Sequence, residues 1–176
     1  MNPKLYWIDA RFPGKLAISA RLRGAIGSRK RSRGGAAQAS TLWSLSLPRK
    51  RMETCSWRKN PRFSRAHGIQ FISLPVEDRG VPASRSEGSA VIEGVSDMLQ
   101  RGRNVAVHCR QGIGRSGMIA AAVLSLRGST PVDALEQVER ARGLNVPETS
   151  EQREWVLRFA NREAAHSPSL LRSRVK

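Results

Sequence analysis

Hydrophobic positions along the chain fall into short alternating or continuous runs and longer helical stripes, in an order that predicts an α/β domain. Residues 4–8 (Lys-Leu-Tyr-Trp-Ile) and 15–19 (Lys-Leu-Ala-Ile-Ser) read as two short strands around an Arg-Phe-Pro-Gly turn at 11–14. Tyr6 and Trp7 are expected to serve packing, as aromatic side chains usually do. Residues 69–74 alternate as another strand. Ser84 or Ser86 can cap a helix over 84–101, with Glu87 and Glu93 toward its beginning and Val91, Val95, Met98 and Leu99 as its apolar stripe. Val105, Ala106 and Val107 form a continuous apolar run, as a central parallel strand should. Residues 116–126 leave almost no polar face and predict a buried helix. Thr130 and Pro131 then supply the cap and first residue of a helix with Leu135 and Val138 inward. A last helix carries Trp155, Val156 and Phe159 as its packing stripe, and Gln152 in its first turn is expected to be exposed.

Residues 25–62 break the pattern. A compact α/β domain should place a helix and an inner strand between Ile18 and Phe71, since an unstructured loop of that length is improbable. Only Thr41-Leu42-Trp43-Ser44-Leu45-Ser46-Leu47 offers apolar material there. Residues 21–65 hold thirteen Lys and Arg against the single acid Glu53, so +12 of the chain's +17 comes from this stretch and the remainder is only mildly basic. Two explanations stand open. One is a basic arm for nucleic acid or an acidic partner. The other, which we favour, is a local reading-frame error. One set of codons for Pro48 to Thr54, read in a neighbouring frame, gives the acidic run Pro-Glu-Glu-Asp-Gly-Asp, a suitable helix start. The coding DNA decides between them.

Length and composition narrow the class. A chain of 176 residues with 39% hydrophobic content fits one domain with a core. We place that domain at residues 1–163 and read 164–176, which lack periodicity, as a disordered tail. The two cysteines, Cys55 and Cys109, imply no disulfide framework and suit a reducing cytoplasm. No apolar run reaches the roughly 18 residues of a membrane span. Tyr6, Trp7 and Asp9 interrupt any secretory signal.

The stretch that carries chemistry follows the central strand: His108-Cys109-Arg110-Gln111-Gly112-Ile113-Gly114-Arg115-Ser116. A strand, a tight loop and a helix N-terminus in that order make an anion cradle. A nucleophilic thiolate needs positive surroundings, and the same surroundings attract a phosphate dianion. Gly112 and Gly114 are expected to let backbone N–H groups turn inward. Arg115 can grip two phosphate oxygens bidentately, which a lysine could not.

At these residues the sequence resembles the protein tyrosine phosphatase superfamily, in its dual-specificity branch and with bacterial members in view. The match is good over about residues 66–160 and plausible over 5–24, and it fails between them. The resemblance implies a central, mostly parallel sheet flanked by helices, with the active loop at a strand's C-terminal end. It also implies the site roles. Cys109 attacks phosphorus to give a phosphocysteine. Arg115 and the amides of Arg110, Gln111, Gly112, Ile113, Gly114 and Arg115 hold the phosphoryl oxygens, and Ser116 eases departure of the thiolate. The loop at 75–82, rich in Pro and Gly, matches the family's acid loop at Asp78. A seryl or tyrosyl oxygen leaves poorly unless protonated, so such a group is needed. Glu77, the runner-up, should point the other way in an extended loop. Gln152 has placement of the hydrolytic water as its alternative role. His108 is expected to tune the thiolate through the backbone, since the strand end points it away from Cys109. His67 reads as a cation at a helix end.

The expected enzyme is a protein-tyrosine or dual-specificity phosphatase, cytoplasmic and monomeric, acting on a phosphorylated protein or another phosphomonoester. No cofactor or metal, no membrane and no nucleic-acid partner enters this reading. Arg110 would suit a polyanionic substrate. Two rivals come from other classes: an inactive phosphate-binding module with a damaged fold, and a basic nucleic-acid-binding protein using residues 21–65. A sulfurtransferase or arsenate reductase also uses a cysteine-centred anion loop, but Ser116 and the upstream Asp78 favour the phosphatase.

Overall fold

The computed structural model describes residues 4–20, 41–45 and 70–166. Five strands form one sheet: β1 (Leu5–Ile8), β2 (Leu16–Ala20), β3 (Thr41–Leu45), β4 (Gln70–Leu74) and β5 (Val105–Cys109), in the order β1-β2-β5-β3-β4. β2, β5, β3 and β4 run parallel, and β1 folds back antiparallel to β2 as an edge strand. The expected α/β class and mostly parallel sheet are what the chain forms. Its four described helices are α1 (Arg85–Gln100), α2 (Gly114–Leu126), α3 (Pro131–Arg142) and α4 (Ser150–His166).

Register explains how the sheet aims its chemistry. Leu16 pairs with Val105 and Ile18 with Val107, so these four side chains share one face and join the core with α2. Ala17, Ala106, Ser19 and His108 lie on the other face. β5 is buried along its whole length, with β2 on one side and β3 on the other. Its C-terminal end therefore delivers Cys109 at the sheet's centre, where open α/β sheets place their ligands. The turn into β2 is tight: a Cβ on Gly14 would run into the Arg103 carbonyl oxygen.

α2 is the helix on which the others pack. Every residue from Gly114 to Ser125 is buried, as the missing polar face predicted. α1 begins at the Ser84 cap, whose Oγ accepts the Glu87 N–H at 3.3 Å. Its buried residues include Ile92, Val95 and Leu99, while Val91 and Met98 pack at the margin. Thr130 caps α3 through Asp133, with Pro131 first and Leu135 and Val138 inward as expected. Arg153 ties α4 to α3 through Glu139 at 2.6 Å.

Several expectations need correction. Thr41–Leu45, within the one apolar stretch of the basic segment, forms the inner strand that an α/β domain needs there, while the rest of that segment, Cys55 and His67 lie outside the described residues. The tail boundary at 163/164 is too early, because α4 continues to His166. Residues 167–176 lie outside the described residues. Tyr6 packs against the core, whereas Trp7 remains exposed: on a short edge strand, alternation turns it outward. Gln152 is fully buried. It stands three, four and seven residues before Trp155, Val156 and Phe159, so it belongs to the inward stripe of α4.

Candidate active site

The turn between β5 and α2 brings the expected loop residues into one cradle. Gly112 has φ 68, a left-handed conformation that side chains disfavour. A Cβ there would also lie 2.6 Å from the Ala20 nitrogen, so the end of β2 leaves no space for one. This conformation sends the Gly112 N–H back onto Cys109 Sγ at 3.2 Å. Gly114 opens α2. It is already helical, and a Cβ on it would come within 2.9 Å of the side-chain oxygens of Glu148 and Gln152. Ile113 is the N-cap of α2 and offers no side-chain bond to the first-turn amides, and no acidic residue occupies that turn. The helix N-terminus is thus left open to an anion.

Cys109 and Ser116 are both buried, with Sγ and Oγ 3.3 Å apart. Arg115 is 3% exposed, so its guanidinium works in a largely dry setting. It donates to the Val76 carbonyl at 3.1 Å and to Asp78 Oδ1 at 2.8 Å. Asp78, 54% exposed at its side chain, also meets Arg110 Nη1 at 3.5 Å through Oδ2. One carboxylate is therefore held between the buried and the exposed arginine of the same loop. Glu77 is exposed and makes no ion pair among the described residues. His108 is buried on the opposite side of β5 from Cys109. The side chains of Arg110 and Gln111 are exposed at the rim, and Ile113 is half-buried.

The loop that carries Asp78 is tied down from its other end by the start of α4. Gln152 Nε2 donates to the Gly80 carbonyl at 2.9 Å, and Thr149 Oγ1 donates to that of Arg79 at 3.4 Å. Arg79 is the one non-glycine residue with positive φ among the described residues, at 63°. Gln152 Oε1 is buried without a hydrogen-bond partner among the described residues and lies beside Gly114. A buried amide oxygen with no partner is costly, and the O–H of a water at the loop would satisfy it.

Sequence reasoning placed Cys109, Arg115, Ser116 and Asp78 together, as they are found. It missed Thr149 and Arg142. The Thr149-to-Gln152 spacing is a capping signal that identifies the α4 start. Nothing local in the sequence ties Arg142 to the loop. Its guanidinium reaches the loop from the end of α3, donating from Nε to the Gly112 carbonyl at 2.8 Å and from Nη2 to that of Gln111 at 3.4 Å.

Comparison with known proteins agrees with this geometry. Cyclin-dependent kinase inhibitor 3 of Sus scrofa is 32% identical over 107 residues, covering 58% of this chain and 49% of that protein. The chain thus spans about half the length of the curated relatives it matches. Kinase-associated phosphatase with its catalytic cysteine replaced by serine superposes with a TM-score of 0.76 at 19% identity, covering 94% of this chain and 98% of the other. Tk-PTP in its active form gives 0.68 at 26% identity, covering 92% and 99%. The family model described as "Dual specificity phosphatase, catalytic domain" matches residues 43–162. Because that match runs from within β3 to within α4 and takes in both the Asp78 loop and the Cys109–Arg115 loop, the chain belongs to the dual specificity phosphatase catalytic domain family.

Proposed function

We propose that this chain hydrolyses phosphomonoesters on phosphorylated proteins, phosphotyrosine or phosphoserine and phosphothreonine, through a phosphocysteine intermediate. The observation that carries the reading is the arrangement at Cys109. Its sulfur takes an amide N–H from its own loop and lies against Ser116 at the foot of α2, with Arg115 and Asp78 across from it.

The first step is an in-line displacement. A lone pair of Cys109 Sγ forms the S–P bond while the bond from phosphorus to the seryl, threonyl or tyrosyl oxygen breaks. Asp78 acts here in its protonated form: its carboxyl O–H passes the proton to that departing oxygen and leaves the carboxylate. Arg115 and the loop amides bind the three equatorial oxygens, where charge concentrates as the bonds exchange. Arg115 is bonded to the Val76 carbonyl and to Asp78. An arriving phosphate therefore engages a guanidinium already held in place, and the Asp78 carboxyl swings toward the leaving oxygen.

The second step uses water. Asp78, now a carboxylate, accepts a proton from water as its oxygen bonds to phosphorus and the S–P bond breaks. Ser116 Oγ–H donates to the departing sulfur, and inorganic phosphate is released. The partnerless Oε1 of Gln152 supports placing that water beside the loop. Its burial replaces the exposed role expected from the sequence.

The cation at Arg110 favours substrates with further negative charge near the scissile group. The test is hydrolysis of an aryl phosphate by the purified chain, with Cys109→Ser beside it and vanadate as inhibitor. Activity that disappears with either supports the proposal. A folded chain that binds vanadate without turnover would instead make it a phosphate-binding module.

A further inference from the structure

We infer that Arg142, outside the Cys109–Arg115 loop, is a positioning residue that orients two of the loop's anion-binding amides, with Tyr6 as its seat. The inference rests on the phosphatase reading above and assigns a part of the site that the reading leaves open: what keeps the amides facing inward.

Arg142 lies in the last turn of α3, just before Gly143, whose φ of 72 ends the helix. Its guanidinium crosses to the phosphate loop and donates to the carbonyls of Gly112 and Gln111. One face of the guanidinium rests on the Tyr6 ring, with Cζ 4.2 Å from the ring centroid. That distance is within cation–π range, and the planar group stacks where an ammonium could not. Lys4 Nζ lies 5.0 Å from the same centroid. A β1 aromatic thus orients an α3 cation beneath a loop that belongs to neither element.

Peptide geometry gives this contact its consequence. In a trans peptide the carbonyl of one residue and the N–H of the next point in opposite directions. With the Gln111 carbonyl held toward Arg142, the Gly112 N–H must point to the other side, and it does reach Cys109 Sγ at 3.2 Å. With the Gly112 carbonyl held the same way, the Ile113 N–H is aimed inward by the same rule. These two planes flank Gly112, the residue whose lack of a Cβ makes other backbone conformations most accessible. Without Arg142 each plane is free to rotate, and rotation would present a carbonyl oxygen to the anion in place of an N–H. The positive charge also stays outside the cradle, so it favours the phosphoryl group without competing for it.

The test uses the full chain and measures kcat for an aryl phosphate and the inhibition constant for vanadate, both per folded molecule. Arg142→Ala is expected to weaken vanadate and lower kcat by about tenfold to a hundredfold, less than outright deletion of an oxyanion donor. Arg142→Lys, able to reach one carbonyl but not both, is expected to fall between. A purely structural role would lower the thermal midpoint and leave vanadate affinity unchanged, which would overturn the inference. If Arg142→Ala does not fold, Tyr6→Leu decides: a few-fold loss in both readouts supports the assignment, and wild-type values overturn it. A wild-type chain that neither hydrolyses the ester nor binds vanadate would overturn the phosphatase reading, and this inference with it. A fully active wild type matched by Arg142→Ala would overturn this inference alone.

Discussion

On one side of the site Cys109, Arg115 and Ser116 are almost sealed from solvent, while across from them about half the Asp78 side chain is exposed. The sealed side grows directly out of the core. β5 is buried between two parallel neighbours, α2 is buried throughout its first three turns, and the loop between them is fixed at both ends. The acid side hangs on a few polar contacts: Asp78 to Arg115 and Arg110, Arg79 to Thr149, and Gly80 to Gln152. The lesson is a division of labour between stability and motion. On the proposed mechanism, the groups that hold charge in fixed positions are built on packed elements, and the group assigned the proton is carried on a loop with little buried area.

The largest effects should come from breaking the sealed side. Cys109→Ser removes the nucleophile with almost no change in volume, so turnover should fall to the limit of detection while vanadate or phosphate still binds. Steady-state kinetics beside a binding titration checks this. Gly112→Ala should also be severe. It forces a Cβ onto a residue at φ 68 and into the end of β2, so we expect at least about 1–3 kcal/mol of destabilisation together with lost activity. Denaturant unfolding with the aryl phosphate assay measures both.

Changes on the acid side should reduce rate and spare the fold. Asp78→Ala is expected to lower kcat by about 10²-fold or more for a poor leaving group such as an alkyl phosphate, with a smaller loss for an acidic phenol. A loss independent of the leaving group would remove Asp78 from the proton transfer. Thr149→Ala is the mildest change. It deletes the bond to Arg79 and the α4 cap, so a loss of about 1 kcal/mol in stability and a several-fold fall in kcat are expected, read by thermal unfolding and kinetics. Were Thr149→Ala as damaging as Gly112→Ala, the contrast between a rigid and an adjustable side would be wrong.

The sealed side was also the legible one. An apolar strand, the spacing from Cys109 to Arg115 and a helix without a polar face are local features, and each specifies its own geometry. Asp78 could be placed only through the family resemblance, which matches the acid-bearing loop to the one that follows β4. Gln152 was misjudged because a polar residue in a first turn is usually solvated, although its spacing to Trp155, Val156 and Phe159 put it on the buried stripe. Arg142 was invisible for a different reason. Its contact depends on where the end of α3 falls relative to the loop and to Tyr6 on β1, and no periodicity encodes that juxtaposition. The inner strand Thr41–Leu45 could be named only as the sole apolar stretch in a segment whose charge contradicts every other helix and strand signal.

The most direct test of the account is to trap the intermediate. The full chain carrying Asp78→Ala, which slows the hydrolytic step, would be mixed with an activated aryl phosphate, quenched rapidly in acid and mapped by mass spectrometry. The account predicts one phosphoryl group on the peptide containing Cys109, and none when Cys109→Ser is added. Phosphate on any other residue, or burst release of the phenol from a chain lacking the Cys109 thiol, would contradict it.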